Sequence, residues 1–270
     1  MTKTILITGA TDGIGLETAR HLAGLGHELG LHGRNPDKLA RVISEISEIS
    51  SPEKVHSFRA DFSDLNDVAA MAEAVKGGFA HLDVLINNAG IFKSAQTQTA
   101  DGLDIRFVVN TLAPYLLTRE LLPIMNADSR VVNLSSAAQA PVDLAALRGQ
   151  AALEDFPAYA QSKLAITMWT AHMARLPGTD RPLFVSVNPG SLLGTKMVRE
   201  GFGQTGNDVG IGVDILVRAS LSDEFIGRSG EYFDNDNHRF AAMHPAGQDL
   251  ARQAALVDAI DRLVDDLPGS

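Results

Sequence analysis

Thr4-Ile-Leu-Ile-Thr-Gly-Ala-Thr-Asp-Gly-Ile-Gly15 opens the chain with a short apolar run that flows directly into a glycine-rich turn. The run Ile5 to Ile7 predicts a buried first strand, and the residues after Gly13 predict a helix that begins near Ile14. Glycine at positions 9, 13 and 15 suits one particular task. Without side chains the backbone can approach a pyrophosphate closely, while the helix amino terminus presents N–H groups and a favourable dipole. Isolated glycines of this kind also serve ordinary turns, but their position after an amino-terminal strand points to a dinucleotide site.

The rest of the chain repeats the same rhythm. Apolar runs at Thr4 to Thr8, His27 to His32, Val55 to Arg59, Leu82 to Asn87, Arg130 to Ser135 and Leu183 to Asn188 read as buried parallel strands, and a seventh lies around Glu231 to Phe233. Amphipathic stretches separate them. The expected architecture is α/β, a Rossmann-type doubly wound parallel sheet of about seven strands with helices on both faces, in one domain over residues 1–270. The last helix spans about Asp249 to Asp265. Two regions depart from the pattern: an insertion at about 137–157, expected as an extra helix or loop, and the glycine-laden 191–212. The latter carries too many glycines for a regular element and reads as a mobile substrate-side lid.

Tyr159-Ala-Gln-Ser-Lys163 carries the second signal. In the helix expected from Ala158 to Arg175, Tyr159 and Lys163 stand at i and i+4 and serve one face. A tyrosine hydroxyl titrates near pH 10 and is a poor acid or base at neutrality. A neighbouring ammonium, joined by an oxidised nicotinamide ring, favours the phenolate and brings the group into range for proton transfer. The same pair on another helix is simply a half-buried aromatic beside a solvated lysine.

About twenty residues beyond the glycine turn, where a dinucleotide fold reads the adenosine ribose, the second strand ends Leu31-His32-Gly33-Arg34. No carboxylate stands there to bond a ribose hydroxyl. Arg34 supplies a planar cation suited to the phosphate of NADP, so NADP(H) is the expected cofactor and NAD(H) the second choice. Asp12 opposes this, because its charge inside the turn would weaken NADP binding unless it points outward. Asn35-Pro36 reads as a helix cap and first-turn proline.

Composition bounds the partners. The 270 residues carry a net charge of −10 and a pI near 5.2, which argues against nucleic acid or an anionic membrane surface. Cysteine is absent, excluding disulfides and thiolate metal sites and fitting a reducing compartment. No signal-type or membrane-spanning segment is read, and none of the eight histidines forms a metal pair. A cytoplasmic enzyme acting on a small molecule, without metal, is expected.

Thr8 to Gly15, Asn87-Asn88-Ala89-Gly90, Val132-Asn133-Leu134-Ser135-Ser136, Tyr159-x-x-x-Lys163 and Asn188-Pro189-Gly190 follow one another in order. In this the chain resembles the single-domain branch of the short-chain dehydrogenase/reductase family almost from end to end. The resemblance implies that Tyr159 is the general acid/base and that Lys163 binds the nicotinamide ribose and lowers the tyrosine pKa. It implies that Ser136, in preference to Ser135, bonds the substrate oxygen, and that Asn110 holds a water in the proton relay. It further implies a cofactor site of Gly9, Thr11, Asp12, Gly13, Ile14 and Gly15 in the turn and Arg34, Asp61 and Phe62 beside the adenosine. Asn88, Ala89, Gly90, Tyr159 and Lys163 follow along the cofactor, with Pro189, Gly190, Leu192 and Thr195 beside the nicotinamide. The long gap between Ser136 and Tyr159, and Gln161-Ser162-Lys163-Leu164-Ala165, look like retinol-dehydrogenase-like members and hint at a bulky or apolar substrate. A homodimer or homotetramer is implied as well.

The function expected is therefore hydride transfer between NADP(H) and an alcohol/carbonyl pair. Two other readings stand beside it: a non-catalytic NADP(H)-binding sensor or regulator, and a double-bond reductase using the same site.

Overall fold

The computed structural model describes residues 1–203 and 205–265. Residue 204, within the expected lid, and residues 266–270, the end of the expected domain, lie outside the described residues. The strands are β1 (Thr4–Ile7), β2 (Glu28–Gly33), β3 (Val55–Arg59), β4 (Val84–Asn87), β5 (Arg130–Leu134), β6 (Leu183–Asn188), β7 (Tyr232–Asp234) and β8 (Arg239–Ala241). They form one sheet in the order β3-β2-β1-β4-β5-β6-β7-β8. The reversal between β3-β2-β1 and β4-β5-β6 is the mark of a doubly wound sheet, and it leaves a crevice at the strands' carboxyl ends.

The seven expected strands are present and parallel. An eighth, β8, pairs antiparallel with β7, Tyr232 opposite Ala241. It escaped the sequence reading because only three residues form it and its first, Arg239, is exposed.

The helices are α1 (Gly13–Gly24), α2 (Pro36–Ile49), α3 (Leu65–Gly78), α4 (Ile105–Phe107), α5 (Ala113–Leu121), α6 (Leu144–Leu147), α7 (Asp155–Arg175), α8 (Lys196–Phe202), α9 (Gly210–Leu221) and α10 (Leu250–Asp265). Alternation along each strand feeds two cores. Ile5, Ile7, Val84, Ile86, Val185 and Val187 join the side of α1, α2 and α9. Leu6, Leu85, Val131 and Phe184 face α3, α5, α7 and α10, as period-two side-chain placement requires.

Both irregular regions contain helix. In the 137–157 insertion, Asp143 caps α6 by accepting from the Ala145 N–H at 2.8 Å. The tyrosine helix starts at Asp155, inside that insertion and before the expected Ala158. In the 191–212 segment, the stretch after Gly194 forms α8, with Gly201 inside it, against the expectation of no regular element. Thr195 caps it, accepting from Val198 N–H at 3.3 Å, and Gly203 ends it at φ 66°, the usual left-handed stop. No helix among the described residues is long and apolar enough to cross a membrane.

Candidate active site

At the β1–β3 end the glycine turn is held by backbone contacts. Gly9 and Gly13 have φ of 66° and 55°, a region that penalises side chains. A Cβ on Gly15 would lie 2.4 Å from both Asn88 Nδ2 and Gly9 O, so that glycine serves close packing of α1 against the end of β4. Asn88 completes the joint by donating to Thr8 O at 2.8 Å and Gly9 O at 3.1 Å. Asp12 caps α1, accepting from Gly13 N–H at 2.8 Å, and its side chain is exposed.

His32 is a determinant that the sequence reading passed over. Its Nδ1 accepts from Gly9 N–H at 3.1 Å, so Nε2 carries the proton and donates to Ala60 O at 3.1 Å. Its ring stacks on Phe62 at 4.2 Å between centroids. Burial pushes its pKa down to about 4, keeping the ring neutral and the turn tied to β3. The signal available was a histidine near the buried carboxyl end of the second strand. Arg34 is largely exposed and stands 3.7 Å from the Asp61 carboxylate. Lys38 lines the same space, a second cation that was not anticipated, although it follows Arg34 by four residues.

At the other end, α7 carries Tyr159 and Lys163 on one face. The Lys163 ammonium is buried, donates to Leu134 O at 2.7 Å, and stands 5.8 Å from the Tyr159 ring centroid. Desolvation lowers its pKa to about 8. Tyr159 does not behave as expected on proximity to this lysine. Its pKa is raised, because burial outweighs the hydrogen bond with Ser136 that pulls it down, and the expected lowering by Lys163 is not seen in the protein alone.

The two serines differ in their partners. Ser135 lines the cavity with its hydroxyl engaged by protein, donating to Lys163 O at 3.0 Å and paired with Thr167 Oγ1 at 2.6 Å, whereas Ser136 is the one bonded to Tyr159.

Asn110 lies in a π-helical turn, Val108–Leu112, that joins α4 to α5. Such turns interrupt the regular ladder and recur at functional sites. Its side chain is engaged with protein, accepting from Ile91 N–H at 2.8 Å and donating to Ile91 O at 2.9 Å and Ser162 Oγ at 3.0 Å. The amide thus clamps the segment after β4.

The nicotinamide-side segment is anchored from the sheet edge. In the β7–β8 turn, buried Asn235 donates to Pro189 O at 3.0 Å and Ile211 O at 3.3 Å. Asp236 accepts from Ser191 N–H at 2.8 Å and from Asn188 Nδ2 at 2.9 Å. Leu192 has a φ of 52°, and Thr195 comes within 3.4 Å of where a Gly13 Cβ would lie, bringing the 191–212 segment against the glycine turn.

A cavity of about 720 Å³ joins the two ends. All the expected cofactor residues line it except Gly15, Gly190 and Leu192. Of the four expected catalytic residues, Tyr159 and Lys163 line it, while Asn110 and Ser136 do not. Ile91, Phe92, Ile105, Val109 and Met197 add an apolar wall that no sequence motif flagged.

The short chain dehydrogenase profile matches residues 3–206. The chain belongs to the short chain dehydrogenase family. Among curated short chain dehydrogenase relatives, human polyprenol dehydrogenase is 36% identical over 64% of this chain and 55% of its own length. Bovine retinol dehydrogenase 12 is 37% identical over 74% of this chain and 64% of its own. The match thus spans less than two thirds of either relative. A Mycobacterium Paratuberculosis protein of solved structure superposes with a TM-score of 0.77 at 26% identity, over 97% of this chain and 93% of that one. A structure from Escherichia coli CFT073, described as a short chain dehydrogenase complexed with NADPH, gives 0.70 at 26% identity over 86% and 96%. The fold of this short chain dehydrogenase is therefore shared with a solved structure along nearly the whole chain.

Proposed function

We propose that this short chain dehydrogenase is an NADP(H)-dependent oxidoreductase that interconverts an alcohol and a carbonyl compound. One observation carries the reading: Tyr159, bonded to Ser136 and standing before buried Lys163, opens on the same cavity that reaches Arg34 and Lys38. The NADPH complex of the Escherichia coli neighbour supports the cofactor.

The chain's own groups fit that cofactor. The open glycine turn at the start of α1 suits a pyrophosphate, Arg34 and Lys38 a ribose phosphate, and Asp61 and Phe62 the adenosine end. Ala89, Gly90, Lys163 and the Pro189–Thr195 segment flank the remainder, with residues 191–212 acting as the lid. The bound nicotinamide supplies hydride donation or acceptance at the carbonyl carbon.

Everything else falls to side chains. Ser136 donates a hydrogen bond to the substrate oxygen, and neutral Tyr159 delivers its proton as negative charge develops there. The raised tyrosine pKa keeps that proton in place at neutral pH. Lys163, charged below about pH 8, stabilises the phenolate left behind, so reduction weakens as pH rises through that value. Asn110 fixes the Ile91 segment beside this group. Residues 1–270 act as one nucleotide-binding unit, with the 137–157 insertion beside the substrate end. Self-association and a cytoplasmic site of action are the companion expectations, supported by the family and by the acidic, cysteine-free composition.

The test is parallel titration of the purified protein with NADPH and NADH, followed by a carbonyl screen for cofactor oxidation. Preferential NADPH binding with turnover is expected. Binding without turnover of any carbonyl would favour the sensor reading, and no binding of either cofactor would sink both.

A further inference from the structure

Three aromatic rings run outward from the candidate catalytic hydroxyl. Phe92 stands edge-on to Tyr159, with centroids 5.3 Å apart and planes at 85°. Phe156 stands edge-on to Phe92 at 6.4 Å and 79°, and it is 50% exposed. Edge-to-face pairs of this kind hold a preferred orientation. Ile91, Ile105 and Val109 continue the apolar wall. Water is a poor neighbour for such a strip, whereas an apolar group on a substrate would cover it.

Phe92 itself is 6% exposed, and α8 closes one side of it in an unusual way. The contact comes from Gly201, where an added Cβ would lie 2.6 Å from Phe92 Cδ1 and 2.9 Å from Cε1. At Gly201 the helix comes against the ring with no room for a side chain. Any side chain at 201 must either lift α8 or drive the ring against Tyr159 or Phe156, because packed interiors do not absorb an extra carbon without displacement.

We propose that Phe92 is the specificity-determining wall of the substrate half, set in place by Gly201, and that the site takes a carbonyl borne on a flat or unbranched apolar group lying along Phe92 and Phe156. The inference rests on the oxidoreductase reading for its substrate but concerns a contact that exists without turnover. Gly201 is thereby a specificity position although it bears no side chain. A small carbonyl reaches Tyr159 without using the strip and is indifferent to it.

The experiment uses the NADPH-loaded protein with cinnamaldehyde, decanal and propanal, comparing the parent with Gly201→Ala, Phe92→Ala and the double variant. Alanine favours helix over glycine, so Gly201→Ala does not weaken α8 by itself. Gly201→Ala is expected to raise KM for cinnamaldehyde and decanal by at least about fivefold, with propanal changed by less than about twofold. In the Phe92→Ala background the same change should have no further effect, because the collision is gone. Independent, multiplicative effects of the two substitutions, or an unchanged KM in Gly201→Ala, would overturn the proposal.

Binding of cinnamyl alcohol to the NADPH-loaded protein, measured by calorimetry, gives the same comparison without chemistry. If the parent turns over none of the aldehydes yet this binding shows the same dependence of one position on the other, the oxidoreductase reading falls and the Phe92–Gly201 wall stands. If cinnamyl alcohol does not bind the parent, or binds all four proteins alike, the wall falls whatever the turnover.

Discussion

At the β1–β3 end of the cleft the glycine turn is braced by backbone contacts and a buried ring, whereas the α7–α8 end is assembled from elements that meet from distant parts of the chain. Gly9, Gly15 and Asn88 interlock within atomic contact, and neutral His32 ties the turn to β3. Opposite them, Tyr159 and Lys163 depend on α7, Ser136 on the end of β5, and the 191–212 segment on Asn235 and Asp236 in the β7–β8 turn. A cofactor end with one invariant shape tolerates rigid construction. A substrate end proposed to carry a lid calls for anchored but separable parts.

If that contrast is right, perturbing each end damages a different quantity. The largest effect belongs to Tyr159→Phe, expected to reduce turnover at least about a hundredfold while NADPH binds within about twofold of the parent. Steady-state kinetics beside cofactor titration measures this, and undiminished turnover would remove Tyr159 from the chemistry.

Next comes His32, whose effect is on stability. Its folded pKa of about 4 lies below the ordinary value near 6.5, so the unfolded chain takes up a proton before the folded one does. Stability is therefore fully present above about pH 6.5 and is lost as pH falls toward 4, by up to about 3 kcal/mol. Denaturant titrations at pH 7 and 4.5 should show a smaller loss in His32→Gln; equal losses would mean that the ring is not the acid-sensitive brace.

Arg34→Ser should weaken NADPH about tenfold and leave NADH nearly unchanged, read by calorimetry. Equal loss for both would place Asp12 or Lys38, not Arg34, in control of the choice. The smallest effect is expected from Asn235→Ala, which leaves Pro189 O and Ile211 O without their shared donor. KM for a carbonyl substrate should rise about threefold with kcat within about twofold, and an unaltered KM would detach the lid from the sheet edge.

The same division governs what the amino-acid order disclosed. The strands, the glycine turn and the placing of Arg34, Tyr159 and Lys163 on one cavity were legible because each rests on a local pattern of period or spacing. Asn35 was read as a cap and is one, accepting from Lys38 N–H at 2.9 Å. The 191–212 segment was misread in part, since glycine count masked the capped run that forms α8. Phe92, Asn235 and the role of the Asn110 amide were not legible, since each acquires its partner only when the sheet brings remote segments together. The raised pKa of Tyr159 in the protein alone was not legible for a related reason: spacing brings a lysine near, but only packing sets how much water remains.

The sheet finishes on β8, three residues running against the others. An edge strand exposes unpaired amide and carbonyl groups to any neighbouring molecule, and long flat edges invite strand-to-strand aggregation. Here the edge is short and reversed, begins at exposed Arg239, and has the Arg228 guanidinium 4.7 Å from the Phe240 ring centroid. The opposite edge, β3, likewise ends in exposed Arg59. Positive charge at both margins discourages either sheet edge from pairing with a strand of another molecule.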